Sequence, residues 1–315
     1  MSEKISGKKI LVTGGAGFVG SIISKILLTK GAKVTVLDSL FTGSERLLPK
    51  HPNLTFVKGD VCDKKLIESL VKKHRLIIHA AAKNIIISTK NPYEDYETNV
   101  GGTLNILLAA KKHGIDKIVY TSSASVYGNP TQLPISENAN TYTLTPYSVS
   151  KLAGENYCTA FYESYELPVS TVRYSNVYGE NQDPANPYCG VISKFFESAL
   201  KGSNLKIHGD GEQTRDFTYV YDAAEATIEA LINPKSVGHV FNTGTGIETS
   251  ISQIAKMILE ITRSKSKIEY IDKRDIDNIR RRVVSIEQIR RVLRWSPRHT
   301  ISHGLAETYD WIKNK

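Results

Sequence analysis

Short runs of β-branched and other apolar residues alternate along the first half of the chain with longer stretches in which apolar positions recur every three or four residues. Lys9–Thr13, Lys33–Asp38, Leu54–Lys58, Leu76–Ala80, Lys117–Ser122 and Val169–Tyr174 read as strands, and Gly17–Lys30, Lys64–Lys73, Tyr93–His113 and Tyr147–Tyr165 as helices. Strands that alternate with helices predict an α/β fold with a doubly wound parallel sheet covered on both faces. After about Tyr174 the pattern changes. A polar, proline-bearing stretch at 179–190 is followed by shorter elements. The expected organisation is a first domain over 1–175, with part of 216–245 returning to it, and a smaller mixed α/β domain over 176–315.

Composition narrows the class. The 315 residues are 40% hydrophobic, and no apolar run approaches the ~20 residues that span a bilayer. Lys4, Lys8 and Lys9 lead directly into a strand, without the apolar stretch of a signal peptide. Cys62, Cys158 and Cys189 are far apart and lack metal-ligand spacing, so they read as reduced thiols of a cytoplasmic protein without a metal. The net charge of +9 is concentrated between Lys273 and Arg298. No nucleic-acid module or interleaved aromatic platform accompanies it, so Arg290, Arg291 and Arg294 are expected on a solvated helix face. Neither nucleic acid nor a membrane is an expected partner.

Two motifs carry chemistry. Thr13-Gly-Gly-Ala-Gly-Phe-Val-Gly20 follows a strand and opens a helix, whose N-terminal amides and dipole suit a dinucleotide pyrophosphate. Gly14 is expected to permit the tight turn, Gly17 the approach of the backbone to the pyrophosphate, and Gly20 close helix–strand packing. Asp38 ends the second strand, where a carboxylate accepts from ribose hydroxyls and repels a 2′-phosphate, favouring NAD over NADP. Asp60 closes another strand and is a candidate for the adenine amino group, and Ala80, Ala81 and Ala82 keep a third strand end small. The second motif is Tyr147-x-x-x-Lys151, which lies on one helical face. A free phenol, with a pKa near 10, is a poor base at neutral pH. The expectation is that the Lys151 ammonium and a positive nicotinamide ring lower it, while Ser123 hydrogen-bonds the reacting oxygen.

Together these residues resemble the short-chain dehydrogenase/reductase superfamily, in its extended branch of nucleotide-sugar epimerases and dehydratases. The likeness covers nearly the whole chain. Asp38-Ser-Leu-Phe-Thr-Gly43 is similar to the family's Asp-Asn-Leu-Ser-Thr-Gly, with Ser39 and Phe41 as departures. The resemblance implies NAD held by Gly14, Gly17, Phe18, Val19, Gly20, Asp38, Ser39, Thr42, Gly43, Asp60, Val61, Ala80, Ala81, Ala82, Asn99, Thr121, Tyr147, Lys151 and Tyr174. It implies catalysis by Ser123, Tyr147 and Lys151. A nucleotide sugar would meet Ser123, Tyr147, Asn176, Gly190, Val191, His208 and the diphosphate-binding arginines Arg215 and Arg274. Arg274 also reads as a member of a charged loop.

Departures select among family reactions. Sugar dehydratases place an Asp-Glu pair after the catalytic hydroxyl residue, and decarboxylases carry a Glu at the second of these positions. Here Ala124 and Ser125 stand there. Oxidation and return of a hydride remain, as in UDP-glucose 4-epimerases. Another NAD-dependent nucleotide-sugar enzyme, either an atypical dehydratase or a 4-keto reductase, is the alternative, followed by a non-catalytic NAD-binding protein. Arg282 falls where such epimerases gate space for a 2-N-acetyl group, and is expected to point away with Arg280 and Arg281 rather than meet a sugar carboxylate. Lys83 has no assigned role. The resemblance also implies a homodimer joined through Tyr93–His113 and Tyr147–Tyr165, although apolar stripes there serve equally as monomer core.

Overall fold

The computed structural model describes residues 5–184, 189–273 and 279–314. Its strands are β1 (Lys9–Thr13), β2 (Lys33–Asp38), β3 (Leu54–Lys58), β4 (Leu76–His79), β5 (Lys117–Ser123), β6 (Val169–Tyr174), β7 (Asn176–Tyr178), β8 (Leu205–His208), β9 (Thr214–Arg215), β10 (Phe217–Tyr219), β11 (Val240–Thr243), β12 (Thr249–Ser250), β13 (Ile268–Ile271) and β14 (Arg281–Arg282). The helices are α1 (Phe18–Thr29), α2 (Lys64–Val71), α3 (Ile85–Lys90), α4 (Pro92–Asp95), α5 (Gly102–His113), α6 (Pro146–Tyr165), α7 (Val191–Leu200), α8 (Val220–Ile232), α9 (Ile251–Thr262), α10 (Glu287–Leu293) and α11 (Ile301–Lys313).

Seven strands form one parallel sheet in the order β11-β6-β5-β4-β1-β2-β3. Successive side chains on a strand face opposite sides, so each buried strand feeds two cores. Ile10 and Val12 of β1 join the core that includes Ile22 and Ile23 of α1 and Ala224 and Ile228 of α8. Leu11 between them joins the other core, with Ile67 of α2, Ile106 of α5 and Phe161 of α6. The chain reverses its direction of winding between β1 and β4, and the crevice beyond the carboxyl ends of those strands is where such sheets take ligands.

The later residues build small sheets, β10-β7, β12-β9-β14 and β13-β8, backed by α7, α9 and α11. They are not a separate tail, because β11 returns to complete the large sheet against β6.

One expected element differs. The continuous helix over Tyr93–His113 is instead α4, a π-helical segment at Tyr96–Gly101, and α5. Two local constraints accompany the break. Asn99 turns inward to bond the Lys83 backbone, and Gly102 packs so close to Val61 that a Cβ would lie 2.4 Å from Val61 Cγ2. The catalytic-segment helix α6 starts where its sequence allows, with Pro146 in the first turn and a capping box between Thr145 and Ser148.

Candidate active site

The turn after β1 is shaped by contacts a side chain would destroy. Gly14 has φ +68°, and a Cβ on it would sit 2.6 Å from Ala81 N at the end of β4. A Cβ on Gly20 would sit 2.1 Å from Gly14 O. Gly14 thus takes the tight turn and also lies against the neighbouring strand end, and Gly20 lets α1 pack closely on the end of β1 and the turn. No side chain caps the N-terminus of α1, so its first amides face the crevice with the dipole's positive end.

Asp38 fastens this turn to β2. Its Oδ2 accepts from Ala16 N at 2.9 Å and its Oδ1 from Leu40 N at 2.8 Å. Burial pushes the carboxyl's pKa up, against the pull of these backbone donors. Asp60 Oδ1 accepts from Cys62 N at 2.9 Å.

A cavity of about 310 Å³ lies over the turn, lined on one side by Gly14, Gly17, Phe18, Val19, Gly20, Asp38, Ser39 and Thr42. Asp60, Val61, Ala80, Ala81, Ala82, Thr121, Tyr147, Lys151 and Tyr174 line the rest, together with residues the sequence did not single out, among them Ser122, Asn84 and Thr98. Gly43 and Asn99 stand outside the lining; Asn99 instead pins the Lys83 backbone through Oδ1 at 2.7 Å and Nδ2 at 3.2 Å. Tyr174 presents its ring, since its hydroxyl pairs with Thr227 Oγ1 at 2.5 Å. Lys83, left without a role by the sequence, is buried in the cavity lining. Its ammonium is 2.5 Å from Glu94 Oε1 and 3.3 Å from the centroid of the Phe41 ring. Nothing in the local sequence signals this contact, which joins three separate segments of the chain.

Under the floor, His79 of β4 is held in one tautomer. Thr103 donates its hydroxyl proton to Asn99 O, so Thr103 Oγ1 accepts from His79 Nε2 at 3.0 Å. Nδ1 then accepts from Thr13 Oγ1 at 2.7 Å. Burial first, and the Lys151 charge second, hold the imidazole down to about 3. A base depressed when folded favours the native state above its unfolded value near 6.5, and that contribution is lost as pH falls from there toward 3. Unfolding free energy should thus decline through this window by up to about 1.4 kcal/mol per pH unit more in the wild type than in His79→Gln, read by denaturant titration at several pH values. Equal slopes would contradict the assignment.

Tyr147 and Lys151 lie one turn apart on α6, Lys151 buried and Tyr147 half-buried at the cavity wall. The Ser123 side chain hydrogen-bonds Tyr147 and accepts from Ser125 N at 3.2 Å. The expected lowering of the tyrosine is not seen in the protein alone. Burial outweighs the Ser123 bond and pushes Tyr147 up to about 12, with Asp95 adding to the rise. Lys151 is lowered to about 8 by burial, against the attraction of Glu155 and Asp95, and its ammonium lies 4.5 Å from the Tyr120 ring centroid.

Of the residues expected to meet a sugar nucleotide, Tyr147 lines this cavity, whereas Ser123, Asn176, Gly190, Val191, His208 and Arg215 do not. Asn176 is on β7, Gly190 and Val191 start α7, and His208 ends β8 with Nδ1 2.8 Å from Asp272 O. Arg215 is buried on β9, its Nη1 donating to Thr214 O and Ile279 O at 2.8 Å each. Arg274 lies outside the described residues. Arg280 and Arg281 pair with Asp210 and Glu248, but Arg282 does not follow them outward. It is 6% exposed and sits beside Arg215 in the register of β14 with β9. Strand alternation turns it inward where its neighbour faces solvent. Arg290, Arg291 and Arg294 are exposed.

A glycine cradle, an uncapped helix N-terminus and a carboxylate at the end of β2 fit a nicotinamide dinucleotide, and fold and site together define a dinucleotide-dependent enzyme of the doubly wound class. Residues 10–244 match the model of the NAD dependent epimerase/dehydratase family. The chain belongs to that family, and its cofactor is NAD. It is 36% identical to a UDP-glucose 4-epimerase of Mycolicibacterium smegmatis, over 98% of this chain and 99% of that protein. It is 35% identical to a UDP-N-acetyl-alpha-D-glucosaminuronate decarboxylase of Bacillus cytotoxicus, over 97% and 98%. Among solved structures, an epimerase of Methanothermobacter thermautotrophicus superposes with a TM-score of 0.96 at 35% identity, covering 99% of this chain and 94% of that one.

Proposed function

We propose that the protein is a nucleotide-sugar 4-epimerase acting on a UDP-hexose. The observation that carries this reading is the company Tyr147 keeps. Ser123 and Lys151 accompany it, while the two positions after Ser123 are a buried alanine and a buried serine, Ala124 and Ser125. Elimination of water needs an acid and a base there, and decarboxylation in the family a glutamate, so the chain is equipped for proton transfer at one oxygen and little else. Similarity to the UDP-glucose 4-epimerase of Mycolicibacterium smegmatis supports the same reading, and the Bacillus cytotoxicus decarboxylase marks how close the neighbouring chemistries lie.

NAD, which the glycine turn, Asp38 and the strand ends would hold in the cavity, would supply a hydride acceptor and donor for the sugar C4. Tyr147 takes the C4 hydroxyl proton and later returns it to the same oxygen. Ser123 orients that oxygen, and Lys151 supplies a cation on the same helical face. Arg215 and Arg274 are proposed to anchor the diphosphate while the 4-keto sugar turns over, so that remote contacts persist as the reacting ring moves. Residues 1–175 and the returning strand then serve the cofactor, and 176–315 the sugar nucleotide.

We also propose a homodimer. Tyr93, Tyr96, Leu108, Val149, Tyr157 and Tyr165 of the α4–α6 region are 38% to 69% exposed, an apolar surface that a second copy would cover. Among the described residues no helix is long and apolar enough to cross a membrane, and the three cysteines are free thiols, which supports a reducing cytoplasmic setting.

Proton NMR of the NAD-loaded protein with UDP-glucose, UDP-galactose, UDP-N-acetylglucosamine and UDP-glucuronate, each alone, tests the reading. A C4 epimer of unchanged mass in one sample, without net NADH, is expected. No turnover in any of them, or a product lighter by water or carbon dioxide, would overturn it.

A further inference from the structure

Among the buried carboxylates that the mechanism leaves unused, one lies next to the catalytic turn. Asp95, at the end of α4, is 2% exposed and does not line the cavity. Its Oδ1 receives Ser88 Oγ of α3 at 2.5 Å, Asn99 Nδ2 of the π-helical segment at 2.5 Å, and Ser150 Oγ of α6 at 3.0 Å. These donors are all neutral, and a buried charge held by neutral donors is costly enough to require a reason. The position of Ser150 supplies one. It lies between Tyr147 and Lys151 on α6, and its Oγ is also 3.0 Å from Tyr147 O and 3.0 Å from Asn99 Nδ2. Asn99 in turn grips the Lys83 backbone at the cavity wall.

We propose that Asp95 is a positioning residue for the reaction, fixing through Ser150 the helical turn that carries Tyr147 and Lys151, and tying that turn through Asn99 to the wall of the cofactor cavity. The inference rests on the functional reading above.

Asp95 also sets the charge of the pair. Its carboxylate favours the protonated form of Tyr147 and the ammonium form of Lys151. Glu155 and Cys158 act in the same sense on Lys151, Ser123 bonds Tyr147, His79 lies within reach of the Lys151 charge, and the Tyr120 ring lies against the Lys151 ammonium. With its charge removed, Tyr147 releases its proton more readily.

The test uses NAD-loaded protein and two substitutions with opposite character. Asp95→Asn keeps the shape and a carbonyl acceptor but removes the charge. Ser150→Ala keeps the charge but cuts the link. Two readouts are followed, the pH profile of kcat for epimerisation and the ultraviolet phenolate titration, with Tyr147→Phe as the blank for the other tyrosines. Asp95→Asn is expected to move both the acid limb of kcat and the Tyr147 titration to lower pH by about 0.5–1 unit, in the direction a lost like-charge interaction dictates. Ser150→Ala is expected to lower kcat by about tenfold without moving the limb, the scale of a slightly misplaced reacting group. An unmoved titration in Asp95→Asn, or full kcat in Ser150→Ala, overturns the proposal. Should Asp95→Asn fail to fold, Ser150→Ala decides alone. A wild-type protein that epimerises none of the sugars sinks the functional reading instead, and the phenolate titration still decides the role of Asp95.

Discussion

Replacing Tyr147 with phenylalanine is expected to lower kcat by about 10²–10⁴, the usual range for loss of a general acid–base group, while NAD binding stays within about twofold of wild type. The ring keeps its packing in α6, and the glycine turn and Asp38 are untouched, so only the transferable proton is lost. The fall should be larger than that of any other single change at the cavity, because no second hydroxyl can replace the phenol. Ser123 already bonds Tyr147 and accepts from Ser125 N. The high pKa of the half-buried phenol adds a second expectation. With Tyr147 pushed up to about 12, the protein alone holds almost no phenolate at neutral pH, so activity depends on a positive charge entering the cavity beside it. Stopped-flow turnover and isothermal titration with NAD separate the two effects. Equal losses in kcat and in NAD affinity would make Tyr147 a structural residue.

The second large effect concerns stability. Glu155, one turn beyond Lys151 on α6, faces Arg173 on β6; the pair is 3% and 7% exposed in its side chains, and Arg173 Nη2 lies 2.6 Å from Glu155 Oε2. Arg173 Nη1 also donates to Tyr127 Oη at 2.7 Å, and Tyr127 donates to Asn242 Oδ1 at 2.7 Å on β11. Glu155→Ala strands a buried guanidinium, which is expected to cost about 3–5 kcal/mol. A melting temperature lower by roughly 5–8 °C would follow from an unfolding entropy of about 2.1 cal/mol/K per residue over a chain of this size. The double variant Glu155→Leu with Arg173→Met should recover most of that loss, since it removes both charges together. Calorimetry of the three proteins checks the order. A single variant as stable as wild type would show that water reaches the arginine. Lys151 adds a functional signature, because Glu155 is the strongest of the groups that favour its ammonium.

Much of the large sheet was legible because buried parallel strands are written as unbroken apolar runs. Lys9–Thr13, Lys33–Asp38, Leu54–Lys58 and Val169–Tyr174 have the same limits in sequence and structure, and Leu76–Ala80 and Lys117–Ser122 differ by one residue each. The glycine turn and Asp38 were visible for a related reason: each acts through backbone positions fixed by spacing along one strand–turn–helix unit. The π-helical break at Tyr96–Gly101 was not, since it depends on what Asn99 and Gly102 meet in space. The same holds for Lys83 with Glu94 and Phe41, and for Arg282, which apolar periodicity cannot distinguish from the exposed arginines preceding it. Pairings between segments far apart in sequence leave no local trace when the partners are polar.

The return of β11 to the sheet bears on how the chain is made. Its last residue is number 243 of 315, so the ribosome must deliver the early small-sheet segments before β6 gains its outer neighbour. Until then β6 offers an open row of amides and carbonyls to any passing strand. Tyr174 at the cavity wall gains the Thr227 partner of its hydroxyl only once the later half is made, and a fragment ending near Tyr174 would keep that open edge permanently. Gene fusion or recombination at the point where the strand–helix alternation stops would separate β6 from the strand that closes it.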